Sequence, residues 1–263
     1  LLLYVTAPLV AVSSFQFKFS QEMLSEAVLV FVFSGGVHLA TILLGKLLFF
    51  RTSDATGKIL RFATVFSNCG FMGYPVIGGF YGERGLFLTS IYLVVFNIFV
   101  WTYGVFIFTG KADRKSLQHA LLNPGVIAVF LGLFLFLLSI KLPLPVAQTM
   151  DAVGGMTTPL SMLIIGSMLA NLKPADLFSG FNIYYVSLIR LLVIPLLTLG
   201  GLRLMGIKGV MLGVCVLTVA MPVATLSAPL AEQNGGDAVF ACRVVFLSTI
   251  LSMFTIPLLT LVL

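Results

Sequence analysis

Apolar runs of membrane-spanning length follow one another from one end of this chain to the other. They lie at Leu1 to Phe15, Ala27 to Phe50, Phe62 to Phe80, Leu86 to Phe108, Ala120 to Ile140, Met156 to Ala170, Ile183 to Leu204, Val210 to Leu230 and Ala238 to Leu263. A helix needs about 20 apolar residues to cross the hydrocarbon core, and non-helical backbone exposed to lipid leaves its polar groups unpaired. The runs therefore predict nine spanning helices in an all-α polytopic membrane protein. Composition agrees: 59% of the residues are hydrophobic and only 9% charged, too few to coat a water-soluble globule of this size. No connector is long enough for a soluble domain, so the chain reads as a single membrane domain. Three cysteines, with Cys69 and Cys215 inside apolar runs, are too few and scattered for a disulfide framework or a metal site. The opening run has neither a basic start nor a small-residue cleavage site and reads as a span, not a signal peptide.

The net charge of +6 does not point to nucleic acid, because the basic residues lie in short clusters between apolar runs and form no single basic face. They orient the chain instead. Lys46, Arg51, Lys58 and Arg61 flank the second connector, and Lys111, Arg114 and Lys115 crowd the fourth, whereas the first, third and fifth carry only Lys18, Arg84 and Lys141. Basic residues near short loops stay on the cytoplasmic side, so the second and fourth connectors are expected inside. Arg203 and Lys208 in a later connector fit this pattern poorly.

Aligning the prolines brings out an internal repeat. Thr6-Ala7-Pro8-Leu9 reappears 151 residues on as Thr157-Thr158-Pro159-Leu160, and Gly73-Tyr74-Pro75-Val76 has a partner 147 residues on in Ala220-Met221-Pro222-Val223. Five spans separate the partners, and an odd number of crossings inverts the second copy, as in many secondary transporters. Chance recurrence of proline in apolar helices, which tolerate it, is the alternative. The repeats are expected at 1–115 and 116–263. The first holds four spans and the second five, so one helix of the first is expected ahead of Leu1.

Phe66-Ser67-Asn68-Cys69-Gly70-Phe71-Met72-Gly73-Tyr74-Pro75, then Tyr81-Gly82-Glu83, Asn123-Pro124, Pro159-Leu160-Ser161-Met162-Leu163-Ile164-Ile165-Gly166 and Met221-Pro222-Val223-Ala224 together resemble the auxin efflux carrier family in its prokaryotic branch. The likeness runs in order over nearly the whole chain. Its most specific piece is the Asn-x-Gly-x-x-Gly-x-Pro pattern of Asn68, Gly70, Gly73 and Pro75. The resemblance implies ten helices in two inverted five-helix repeats, an architecture like that of the bile acid sodium symporters, with two proline-broken helices crossing near the bilayer middle. Here these are the third and eighth spans. Plant members move the auxin anion outward, and prokaryotic relatives are associated with malate, malonate and similar carboxylates. The long hydrophilic loop between the halves of plant members is lacking, so plant-type regulation and auxin specificity are not carried over.

The residues themselves support a site at the breaks. Proline lacks an N–H and clashes with the preceding turn, so Pro75 and Pro222 are each expected to interrupt a helix and free backbone groups. Such groups belong inside protein or along a watery cavity, where a solute can complete them. The half-helices that follow would point partly positive amino ends at the break, which suits an anion. Gly70 and Gly73 leave backbone accessible, and Asn68 offers both a donor and an acceptor. Kinked helices with no ligand are the alternative.

Other polar groups join the candidates. Arg190 lies about two turns into its span, deep enough to need a cavity or a partner. As a counter-charge it belongs among the substrate-binding candidates; bracing of freed carbonyls and snorkelling to the interface are the other readings. His38, deep in the second span, is a candidate proton relay or a packed, hydrogen-bonded histidine. Asn97 and Thr225 are assigned to the binding site, with Ser248 and Thr249 as further candidates or as helix-to-helix hydrogen-bonding groups. All nine acidic residues fall at span ends or connectors, which argues against a cation pump needing an ionisable pair at mid-membrane.

An enzyme is not expected. Asn234-Gly235-Gly236-Asp237 only superficially resembles an aspartyl intramembrane protease motif, since no second membrane aspartate completes a dyad. Ser34 and His38, one turn apart, have a spacing common in packing. The function expected is a secondary carrier of small organic anions such as carboxylates, working by alternating access with net efflux. A sodium- or proton-coupled symporter of bile acid carrier type is the runner-up, and a channel or an intramembrane protease is remote. No cofactor or metal is expected. The partners expected are the bilayer of the plasma membrane, taken as a bacterial inner membrane, and the anion; a homodimer is allowed, and nucleic acid is not expected.

Overall fold

In the computed structural model of the chain, residues 2–16, 20–52, 54–110, 122, 124–157, 159, 160, 163, 167 and 179–263 are described. Long runs of Leu, Val, Ile and Phe can satisfy their backbone in lipid only as helices, and the regular elements among these residues are helical. α1 begins as a π-helical turn, Leu2–Thr6, and continues as Ala7–Ser13. α2 (Gln21–Leu48) carries Glu22 in its first turn and Lys46 in its last, charges that complement the helix dipole. α3 is Asp54–Val65.

The helical stretch Gly73–Phe99 is two helices that reverse at Gly82, whose φ of 56° and ψ of −150° lie outside the range of L residues. The first is α4 (73–81). The second, α5 (83–99), runs on through a π-helical segment, Val100–Gly104, into Val105–Thr109. Close approach after the reversal requires Gly85, since a Cβ there would stand 2.6 Å from the Cβ of Tyr81. Then come α6 (Pro124–Leu137) and α7 (Leu144–Gly155). α8 is assembled from Phe181–Leu188, a π-helical turn at Ile189–Val193 and Ile194–Leu204. α9 (Gly209–Ala220), α10 (Ser227–Gln233) and α11 (Ala238–Thr260) complete the order, α11 being capped by Asp237, which accepts the Phe240 N–H at 2.8 Å.

Among the described residues four helical stretches are long and apolar enough to cross a membrane: Gln21–Leu48, Gly73–Thr109, Phe181–Leu204 and Ala238–Thr260. They coincide with the expected second, fourth, seventh and ninth spans, although the reversal at Gly82 divides the one at Gly73–Thr109. The expected third and eighth spans are each two short helices separated by non-helical backbone. One difference lies at α7, which the sequence reading leaves in a connector. Pro143 and Pro145 read as a turn, yet proline is well tolerated at the start of a helix. The expected sixth span lies mostly outside the described residues, as do Asn123, Lys111, Arg114 and Lys115.

α6 and α7 each pack on α1, while α2 to α5 and α8 to α11 gather around the two broken segments. Arg84 binds Glu22 and Glu26 at 2.9 and 2.7 Å, joining the start of α2 to the start of α5. At the other end of α5, Lys58 Nζ donates to the Phe108 carbonyl at 3.2 Å. These ties put the first connector beside the third and the start of α3 beside the end of α5, as alternating spans require. Exposed ion pairs of this kind contribute at most about 1 kcal/mol.

Candidate site at the crossing of two broken helices

Helix α3 stops at Val65 and α9 at Ala220, and the backbone after each runs extended for a few residues. There the two chains meet as a single antiparallel bridge between Ser67 and Val223. The Asn68 N–H donates to the Pro222 carbonyl at 2.7 Å, and the Ala224 N–H donates to the Phe66 carbonyl at 2.9 Å. Ser67 Oγ donates to the Thr218 carbonyl at 2.7 Å, and the Val223 N–H reaches Ser248 Oγ at 3.1 Å. The Asn68 carbonyl then accepts the N–H groups of Met72 and Gly73, both at 3.1 Å, which starts α4.

This geometry corrects the proline reading. The first break is made by Ser67, Asn68 and Gly70, poor helix formers, and not by Pro75, which is the third residue of α4. Pro229 holds the same place in α10, whereas Pro222 lies inside the second break. In a first turn a missing N–H costs little. Of the two settings expected for the freed backbone, inside protein or along a cavity, much of it is completed by protein.

Arg190 does the largest share of that work. It is 1% exposed and sits on the π-helical turn of α8. Its Nη1 donates to the carbonyls of Thr64 at 2.9 Å and Val65 at 3.4 Å, and its Nε to that of Met221 at 3.3 Å. The guanidinium thus braces the carboxyl ends of both α3 and α9. Arg190 is absent from the walls of the cavity described next, so its contact is with backbone.

In front of the crossing lies a cavity of about 680 Å³, the open space at its mouth included. Four of the expected residues line it: Asn68, Gly70, Asn97 and Thr225. Gly73, Pro75 and Pro222 do not; they shape the segments behind the wall. The buried Nδ2 of Asn68 has no hydrogen-bond partner, an unusual state for a buried donor. Among the described residues the N–H of Phe71, a wall residue, donates to no backbone carbonyl. Asn97 spends one N–H on the Leu93 carbonyl at 2.8 Å, leaving its side-chain oxygen to offer. Among the described residues the rest of the wall is largely apolar and carries no charged side chain.

Sequence reasoning misses the aromatic wall residues Phe71, Tyr74 and Phe96. Tyr74 belongs to the motif already quoted; Phe96, one of 24 phenylalanines, has nothing to single it out. The Tyr74 hydroxyl meets Ser90 Oγ at 2.9 Å, and Ser90 meets Ser14 of α1 at 2.9 Å.

His38 is placed behind this wall. Its ring stacks on Phe99 with centroids 5.0 Å apart and packs against Phe66, Tyr92 and Phe96. Nδ1 donates to the Ser34 carbonyl at 2.6 Å, and Nε2 has no partner. The Ser34 hydroxyl turns instead to the Tyr92 carbonyl at 3.3 Å, so Ser34 and His38 form no nucleophile and base pair. Ser248 braces Val223, and Thr249 bonds back to the Val245 carbonyl at 2.7 Å; neither lines the cavity. Asp237 is occupied as a helix cap. Among the described residues no carboxylate is buried and no cluster of His, Cys, Asp and Glu could hold a metal.

Comparison with known proteins places the chain in a family. A family model described as membrane transport protein matches residues 1–260. An uncharacterised transporter of Methanothermobacter thermautotrophicus is 30% identical over 213 residues, covering 78% of this chain and 67% of the relative. One of Methanocaldococcus jannaschii is 27% identical over 245 residues, covering 90% of this chain and 78% of the relative. The chain belongs to the membrane transport protein family that includes auxin efflux carrier-like proteins, and it is a multi-pass protein of the plasma membrane.

Proposed function

We propose that the chain is a secondary carrier of small organic anions, carboxylates above all, that works by alternating access around the crossing and runs toward efflux. The observation that carries the reading is the buried, unpartnered amide of Asn68 in the wall of a cavity at the crossing. A buried donor without an acceptor costs about 1 to 3 kcal/mol, a cost that a carboxylate oxygen would remove. The amino end of α4 opens on the same cavity through Tyr74, adding partial positive charge. Asn68, Gly70, Asn97 and Thr225 are the proposed contacts. Gly73, Pro75, Pro222 and Arg190 hold the contact residues in place, and His38 is the reserve proton site.

The two-repeat organisation, 1–115 and 116–263, is part of the proposal. It draws support from the antiparallel pairing of the two breaks and from the proline at the third position of the helix after each.

The test is transport by proteoliposomes over a panel of mono- and dicarboxylates, with and without sodium or proton gradients. Saturable uptake with acceleration by unlabelled anion on the far side is expected. Flux that rises linearly with concentration and shows no exchange would make the protein a channel, and a strict need for sodium would favour the symporter.

A further inference from the structure

Helix carboxyl ends carry partial negative charge and unpaired carbonyls, and the crossing brings two of them together in the interior. The oxygens of Thr64 and Val65 end α3, and that of Met221 follows α9. All three converge on one guanidinium at 2.9 to 3.4 Å. Converging carbonyl oxygens are what a hard monovalent or divalent cation takes as ligands. Among the described residues no carboxylate is buried and Arg190 has none to pair with. A buried cation without compensation is strongly unfavourable, so the two helix ends must supply the compensation.

The backbone aims the side chain there. Pro195 cannot donate to the turn before it, and that turn, Ile189–Val193, is widened to a π-helix with Arg190 as its second residue. Nη2 keeps no partner, so the cation is held by the carbonyls facing its other nitrogens.

We propose that Arg190 is a tethered counter-cation. It fills a cation site built from the carboxyl ends of α3 and α9, so that the crossing needs no free sodium to hold together, and a small free cation enters the site once the side chain is cut back. The consequence for transport rests on the carrier reading; the binding site does not.

The test is thermal unfolding of the purified chain in detergent, in guanidinium, sodium or choline chloride at matched ionic strength and millimolar concentration. Arg190→Ala should melt about 10 °C below wild type and regain much of that saturably in guanidinium, less in sodium and not in choline. Wild type and Arg203→Ala, a change at the exposed end of α8, should show no such response. Equal melting of Arg190→Ala in all three salts would overturn the proposal.

If Arg190→Ala yields no folded protein, Arg190→Lys and Arg190→Met decide. The lysine variant should fold and melt well above the methionine variant, because charge fills the site. A methionine variant as stable as lysine, or a lysine variant that does not fold, overturns the proposal. Wild-type proteoliposomes should transport equally in sodium and choline. Absence of any wild-type transport would remove the carrier reading and leave the melting result standing.

Discussion

Asn68 keeps an unpaired donor in the cavity wall, and its backbone is already committed on both sides of the bridge. Asn68→Ala should leave the crossing folded, because the bonds to Pro222, Met72 and Gly73 use only main-chain atoms. It should weaken anion affinity by about 1.5 to 3 kcal/mol, the size of a hydrogen bond to a charged partner. Half-saturation measured in proteoliposomes would rise roughly 10- to 150-fold; an unchanged value would make Asn68 purely structural. The pattern Asn-x-Gly-x-x-Gly-x-Pro marks this residue in the sequence because Asn and Gly are out of place in an apolar helix. Arg190 is equally visible as a deep cation, yet its partner is not. Freed carbonyls belong to whichever residues happen to end a helix, and Thr64, Val65 and Met221 carry no side-chain signature of that role.

The elements that matter are the two breaks, and the two prolines tied to them have different work. Pro75 stands in the first turn of α4, where its missing N–H has little to lose, so Pro75→Ala should retain transport within about twofold of wild type. Pro222 lies in the extended segment, and its carbonyl accepts from Asn68. An alanine there restores an N–H and lets α9 run on toward the bridge, so Pro222→Ala should cut transport by about tenfold or more with insertion intact. Equal effects of the two changes in a proteoliposome flux assay would count against this division of labour.

Hydropathy alone finds the long spans because length and apolarity are sufficient signals. It reads through the breaks, since Val65, Phe66, Cys69, Phe71 and Met72 are as apolar as any span. It also passes over α7, where Pro143, Pro145, Gln148 and Asp151 mask a helix start.

At the scale of the whole molecule, charge placement sets direction. Among the described residues no carboxylate is buried, and the one buried guanidinium is committed to backbone. A carried carboxylate then brings net negative charge across the membrane, and an inside-negative potential drives it outward with about 2.3 kcal/mol per charge per 100 mV. Efflux from preloaded vesicles should quicken as the interior is made negative; indifference to voltage would point to electroneutral exchange or proton symport through His38. The sequence shows the class of molecule through its runs and its carboxylate census, whereas a cavity between α1, α5, α6 and the two breaks exists only once those elements are brought together.

The claim that the anion binds in that cavity is tested most directly at Thr225, on the wall contributed by the second break. Cys69 and Cys215 are buried and Cys242 is half-buried, so with Cys242 replaced by serine the thiol of Thr225→Cys, buried but on the cavity wall, is the one a small maleimide entering the cavity meets. The transported anion should slow labelling, with half-protection at the concentration that half-saturates transport. Labelling that proceeds at the same rate in saturating anion would place the substrate elsewhere.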